Sequence, residues 1–371
     1  MNGSPRDTGP EAESGAEKNV FRLFDEGDEL YAEMARSIRT AGRCVFLASY
    51  ILAADEVGTV LLDELMRQAR RGLDVRVHVD ALGSGRSLPR HHRRMLRAAG
   101  VRLQRFHRWS WRQPMRYNRR DHRKLLVVDG QIAFLGGFNI HRESSRRFYG
   151  PGRWRDVHVR FGGTLATEAE ALFDAFWCGH PDWVPGDGTG SDGRILPNTT
   201  RKCRIQLRCA IKNQLASASE SIWLATPYFV PDRGIRRELI LAASRGVDVR
   251  VLTTQKTDSA PAQWAARAFY GELLDNGIRV FEYTPRLLHS KVLIVDGDRA
   301  SIGTANLDYR SLFTNYELTL ISRNRGLINP LRQVFLSDLK SADEITEVSR
   351  RHRGFINGMY GALGLLLRKW L

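Results

Sequence analysis

His122-Arg123-Lys124-Leu125-Leu126-Val127-Val128-Asp129 is followed by Gly136-Gly137-Phe138-Asn139, and the pattern returns. The second copy reads His289-Ser290-Lys291-Val292-Leu293-Ile294-Val295-Asp296, then Gly303-Thr304-Ala305-Asn306, with the same spacing from His to Asn. Each copy predicts an apolar strand, an Asp-Gly turn (Asp129-Gly130, Asp296-Gly297) and a second strand, which is a hairpin signal. Residues two apart in a strand share a face, so His122 projects with Lys124, and His289 with Lys291. The glycines of the return loops let the backbone approach a ligand closely.

The repetition extends outward. Arg71-Gly72-Leu73-Asp74-Val75-Arg76-Val77 is answered by Arg245-Gly246-Val247-Asp248-Val249-Arg250-Val251. Helical periodicity precedes the glycine, with Val57, Leu61, Leu65 and Ala69 on one face. Apolar strands are predicted at 45–50 and 222–228, before these helices, and at 101–103 and 278–281, after Gly100 and Gly277. Strand and helix therefore alternate in both halves, which predicts a duplicated α/β fold. It has two α/β/α-type halves related by pseudo-twofold symmetry, with the active site at their interface. The expected boundaries are a disordered tail over 1–18, a first half over 19–183, a linker over 184–201, a second half over 202–349 and a carboxyl-terminal segment over 350–371. A length of 371 residues with 42% hydrophobic residues suits two globular units.

The charge is +16, and residues 86–124 hold fourteen Lys or Arg against one acid, Asp121. Such a field favours a polyanion, either nucleic acid or an anionic lipid surface. Four cysteines without CxxC spacing give no zinc signature and read as buried free thiols. No apolar run is long enough to span a bilayer.

Two His, two Lys and two Asn (Asn139, Asn306) on a pseudo-twofold axis would form a pocket for a tetrahedral anion. One imidazole can attack phosphorus, and the other can protonate the leaving oxygen. The lysines and asparagines neutralise charge, and no carboxylate-rich cluster suits Mg²⁺ or Zn²⁺, so no metal or other cofactor is expected. Asp129 and Asp296 complete the recurring motif, but an extended strand puts them about 20 Å from the histidines. Their expected job is structural.

The doubled HxKxxxxD pattern with its downstream glycine-to-asparagine loop resembles the phospholipase D superfamily, over nearly the whole chain. Ala225-Thr226-Pro227-Tyr228-Phe229-Val230-Pro231, Asn306-Leu307-Asp308-Tyr309-Arg310-Ser311 and Asn315-Tyr316-Glu317 make it most similar to the bacterial cardiolipin synthases, of the shorter B type without amino-terminal spans. The resemblance implies a duplicated phospholipase D fold and a two-step phosphatidyl transfer through a phosphohistidine. By the same resemblance His122 is the nucleophile, His289 the general acid/base, and phosphatidylglycerol the donor and acceptor, giving cardiolipin and glycerol. Asp156 and Glu317 occupy the positions of carboxylates that orient the histidines. The alternatives are a phospholipid hydrolase with water as acceptor, and a metal-independent nuclease of the same fold.

Two segments favour a membrane partner over nucleic acid. Trp109, Trp111 and Tyr117 interleave with arginines, among them Arg112, Arg116, Arg119 and Arg120. This insert lengthens the approach to His122 relative to that of His289, and suits an anionic headgroup layer. At the carboxyl end, apolar residues through Trp370 recur at mostly helical spacing between basic residues, as in an interfacial amphipathic helix. The expectation is a peripheral enzyme of a bacterial cell membrane with no transmembrane helix, in which Trp109, Trp111, Arg112, Arg116 and Trp370 face the lipid.

Overall fold

The computed structural model describes residues 20–107, 111–112, 117–181 and 193–346. The expected tail over 1–18, Trp109, Arg116 and the segment 350–371 with Trp370 lie outside them.

The first half runs β1 (Phe21–Phe24), α1 (Gly27–Arg39), β2 (Cys44–Ser49), α2 (Glu56–Arg70), β3 (Asp74–Asp80), α3 (Arg90–Ala98), β4 (Arg102–Phe106), β5 (Leu125–Val128), β6 (Ile132–Gly136), α4 (Arg146–Tyr149), β7 (His158–Gly162) and α5 (Thr164–Trp177). The second runs β8 (Gly193–Pro197), α6 (Arg201–Ala216), β9 (Ser221–Ala225), α7 (Arg233–Ser244), β10 (Asp248–Thr254), α8 (Ala260–Arg267), α9 (Tyr270–Asp275), β11 (Arg279–Tyr283), β12 (Val292–Val295), β13 (Arg299–Gly303), α10 (Tyr309–Phe313), β14 (Leu318–Ser322), α11 (Arg325–Lys340) and β15 (Ala342–Glu344).

Strand order is β1-β7-β6-β5-β2-β3-β4 in one sheet and β15-β11-β10-β9-β12-β13-β14-β8 in the other. The orders superimpose half on half, with β15 as an addition on the β11 edge. In each, three parallel strands (β2, β3, β4; β9, β10, β11) meet an antiparallel hairpin (β5–β6; β12–β13). The linker expected over 184–201 is corrected in part. Residues 193–197 are β8, paired with β14, and Arg201 already starts α6. Gly, Asp and Thr around this strand masked it in the sequence.

Buried side chains form three cores. One lies between the two sheets and takes Leu125, Val127, Val159 and Phe161 from the first half and Val292, Ile294, Ile302 and Leu320 from the second. Helices α5 and α11 sit in this layer, each packed on its own sheet and reaching an edge strand of the other, β8 and β1 respectively. The other cores lie outside, under α1 and α2 and under α6 and α7. Both faces of each sheet are therefore covered, which is why β5 and β12 are apolar at every position. Truncating a central leucine such as Leu320 to Ala would cost about 2–5 kcal/mol and loosen both halves together.

Cysteines 44 and 203 are buried, but Cys178 and Cys209 are exposed, contrary to the expectation for all four. Among the described residues no helix is long and apolar enough to cross a membrane.

Candidate active site

The two motif histidines do not lie within their hairpins. Residues 120–122 run extended before β5 and pair with the other half: Tyr316 donates its N–H to the Arg120 carbonyl at 2.9 Å, and His122 donates to the Tyr316 carbonyl at 2.9 Å. The second copy repeats this. Arg155 donates to Leu287 at 2.8 Å and His289 donates to Arg155 at 2.7 Å. Each histidine is thus laced by backbone bonds to the segment that precedes the other half's carboxylate. Those bonds fix the two side chains relative to each other.

The consequence is an exchange. His122 Nδ1 lies 3.1 Å from Glu317 Oε2, and His289 Nδ1 lies 2.6 Å from Asp156 Oδ2. The sequence picked all four residues but not the crossing, because nothing in a repeat says which copy supplies the partner. Each Nδ1 is within hydrogen-bond reach of its carboxylate, and an Nδ1–H donated there fixes the tautomer and leaves Nε2 for chemistry. Glu317 is held by Thr304, whose hydroxyl donates to Oε2 at 2.6 Å, and Asp156 by the Val157 N–H at 2.8 Å. A Cβ at Gly137 would fall 2.0 Å from Asp156 Oδ1, so Gly137 clears space for the carboxylate rather than for a ligand. Thr304 holds the corresponding place in the second copy, where it bonds the carboxylate instead.

Lys124 and Lys291 are buried beside the histidines, and each ammonium donates to the carbonyl of the histidine two residues before it. Lys291 Nζ also lies 2.7 Å from His289 Nδ1. Burial and the neighbouring Lys291 push Lys124 down to about 7, and burial takes Lys291 down to about 8. Burial, then the two ammonium groups, hold His289 well below its ordinary value, with the Asp258 carboxylate opposing. Asp156 is itself lifted to about 6 by burial, with Lys291 opposing. Cations crowded into a dry space in this way favour an anion of two or more oxygens.

Asn139 is buried, and its Oδ1 accepts from the Ile51 N–H at 3.3 Å. Asn306 Nδ2 donates to Asp308 Oδ2 at 3.0 Å. Asp129 and Asp296, motif members grouped with the catalytic set, are at the far ends of the hairpins. Both adopt positive φ (57° and 52°), each before a glycine at positive φ, as a two-residue hairpin turn requires. Asp129 accepts the N–H groups of Gly42, Arg43 and Cys44, all at 2.8 Å, and Asp296 accepts those of Ser219, Glu220 and Ser221. Burial opposes ionisation of both, yet these amides hold each carboxyl below its usual range. They tie the turn to the start of the neighbouring parallel strand.

Sequence reasoning missed the groups against which the histidines rest. The Tyr50 ring is 4.9 Å from His122 and the Trp154 ring 5.1 Å from His289. Trp154 stands two residues before Asp156, which was the available signal. Also missed was a buried charge cluster beneath His122: Asp121 meets His78 at 2.7 Å and Arg123 at 2.8 Å. Part of the basic insert is therefore internal. Arg120 is 2% exposed, pairs with Asp80 and lies over the Tyr117 ring, so it does not face a membrane. Trp111 is 77% exposed with the Arg112 guanidinium over its indole.

The family model for "Cardiolipin synthase, PLD-like domain" matches residues 34–177 and 211–339. The probable cardiolipin synthase YwiE of Bacillus subtilis is 33% identical over 91% of this chain and 69% of its own length. A cardiolipin synthase of Staphylococcus aureus is 32% identical over 89% of this chain and 69% of its own. Among solved structures, phosphatidylserine synthase from Haemophilus influenzae superimposes with a TM-score of 0.70, covering 95% of both chains at 12% identity. Polyphosphate kinase from Porphyromonas gingivalis gives 0.63 over 94% of this chain and 52% of that one, at 15% identity. These two likenesses are of fold. With the doubled motif, the exchanged carboxylates and a family match over most of its length, the chain belongs to the phospholipase D-like family of the cardiolipin synthases.

Proposed function

We propose that the protein is a cardiolipin synthase that transfers a phosphatidyl group between two phosphatidylglycerol molecules and releases glycerol. The observation that carries the mechanism is the pair of crossed His–carboxylate contacts beside two buried lysines. His122 Nε2 attacks phosphorus, the P–O bond to glycerol breaks, and the leaving oxygen takes a proton from His289. The hydroxyl of a second phosphatidylglycerol then gives its proton to His289 and attacks phosphorus, and the P–N bond to His122 breaks. Lys124, Lys291, Asn139 and Asn306 hold the non-bridging oxygens. Glu317 and Asp156 support the imidazolium that each step creates or consumes. Relatives bearing the name cardiolipin synthase support the choice of substrate.

The protein works at an anionic membrane surface, which it meets peripherally through Trp111, Arg112 and their neighbours. The test is incubation of the purified protein with phosphatidylglycerol vesicles and, separately, with single-stranded DNA. Cardiolipin plus glycerol is expected. Phosphatidic acid alone would mean hydrolysis, and cut DNA with intact lipid would sink the proposal. Vesicle sedimentation at low and high salt tests the surface, and Arg112→Gln is expected to weaken binding at low salt by roughly 1 kcal/mol.

A further inference from the structure

The basic stretch 86–124 divides in the structure. Arg120, Arg123 and Lys124 are buried beside the site, and Arg102 pairs with Asp74. What stays outside is the loop between β3 and α3 and one face of α3. Arg86, Arg90, Arg94 and Arg97 are exposed, as are Leu82 (49%) and Met95 (48%). Positions 90, 94 and 97 fall on one helical face with Met95 beside them, while Leu96 and Ala99 turn inward. Among the described residues Arg86, Arg90 and Arg94 have no ion pair. Helix α3 carries four arginines, two histidines and no acid, and it starts after Pro89 without a side-chain cap. Cations in a first turn oppose the helix dipole, so this charge weakens the helix unless an outside anion meets it. The second half has no such element. Residues 260–275, across α8 and α9, hold a single arginine, which pairs with Glu282, against Glu272 and Asp275.

The loop is tied to the site. Asp80, at the end of β3, is fully buried. Its Oδ1 accepts the N–H groups of Leu82 at 2.8 Å and Gly83 at 3.0 Å, and its Oδ2 accepts that of Asp121, next to His122, at 2.9 Å. A Cβ at Gly83 would fall 2.9 Å from the Tyr50 ring, and the Ser84 hydroxyl donates to the Tyr50 carbonyl at 2.9 Å. The loop therefore packs behind the ring that rests against His122. Ala81 also donates to the Phe106 carbonyl at 3.0 Å, at the end of β4, from which the segment bearing Trp111 departs.

We propose that the 81–88 loop and the outer face of α3 dock the protein on an anionic bilayer. The arginines meet lipid phosphates, and Leu82 and Met95 supply the apolar contact beneath the headgroups. The inference rests on the membrane reading above and extends it beyond Trp111 and Arg112. Aliphatic side chains among arginines favour lipid over single-stranded nucleic acid, which binds by stacking on aromatic rings. Docking through one half alone brings the His122 side of the cleft against the lipid, because Asp80 joins the loop to the residue before His122.

The test is sedimentation of the full chain with vesicles of phosphatidylglycerol and phosphatidylcholine, or of phosphatidylcholine alone. The combined Arg86→Gln, Arg90→Gln and Arg94→Gln variant should bind the mixed vesicles about a hundredfold more weakly at low salt. Leu82→Ser should lose about fivefold at high salt, where the arginines are screened. Both should cleave a short-chain, water-soluble nitrophenyl phosphodiester at the wild-type rate, since neither change touches the site. Arg67→Gln, Arg70→Gln and Arg71→Gln together remove the same charge at the carboxyl end of α2, the opposite end of the sheet, and should lose no more than about threefold. Wild-type binding by both docking variants, or an equal loss in the α2 variant, overturns the docking surface alone. So does weakened binding of single-stranded DNA with vesicle binding intact, which would make the face a nucleic-acid site. A wild type that ignores the mixed vesicles, or binds phosphatidylcholine equally well, overturns the anionic-membrane reading and the docking surface with it.

Discussion

The two halves carry the same four motif residues on the same strand order, yet they surround them differently. His122 follows Asp121, which is locked to His78 and Arg123 in a buried charge cluster, and it rests against Tyr50. His289 follows Leu288, rests against Trp154, and has a cavity beside its lysine where the first half has Phe134, Phe138 and His158. The repeated scaffold supplies the geometry and the divergent neighbours supply the roles. A rigid, filled surrounding suits the histidine that holds a covalent group.

The sharpest way to break this comparison is through the crossed carboxylates. Glu317 belongs to the second half but supports His122, so Glu317→Gln should depress formation of the covalent intermediate by about 10⁴-fold, comparable to loss of a triad carboxylate. Asp156→Asn should instead impair proton exchange through His289, and its defect should shrink with a nitrophenol leaving group that needs no proton. Rapid-quench kinetics with a natural and an activated diester separates the two. If each variant affects only the histidine of its own half, the exchange has no catalytic meaning.

The next effect is in pH. Asp156 must be ionised to support His289, so kcat/KM should fall as pH drops through about 6. Lys124 and Lys291 must be charged to hold the phosphodiester, so it should fall again as pH rises between about 7 and 8. The full profile is a narrow bell, about tenfold per unit on the acid side and up to about a hundredfold per unit on the alkaline side, where two ammonium groups discharge. Lys124→Gln should lower its height and move the alkaline limb toward Lys291. A flat profile through pH 9 would contradict the picture of two buried ammonium groups near neutrality.

The smallest effect concerns the motif aspartates. Asp129→Ala leaves three amides without their acceptor and should cost about 1–3 kcal/mol, seen as a lower Tm or denaturant midpoint. The pH limbs of the variant should stay where they are, because the carboxylate does not reach the histidines.

What could be read in the sequence was whatever the repeat made local. The turn at Asp129-Gly130 and the helix that carries Val57, Leu61, Leu65 and Ala69 follow from short-range pattern, and both are present in the structure. Asp156 and Glu317 were reached by family likeness, and the structure brings each against a motif histidine. The crossing, the Tyr316 and Arg155 backbone bridges and the second-half cavity depend on how two chain segments far apart in sequence meet. No local pattern carries that information. The basic insert was misjudged in part for the same reason: Arg120 and Arg123 look like surface charge until Asp80 and Asp121 are placed beside them.

The division of labour between the halves is tested most directly by mapping the covalent adduct. The protein is mixed with phosphatidylglycerol vesicles, quenched without acid and digested, and the modified peptide is identified by tandem mass spectrometry. The account predicts a phosphatidyl group on His122, trapped more fully in His289→Ala with an activated diester and absent from His122→Ala. An adduct on His289 that survives in His122→Ala would reverse the two roles and contradict the account.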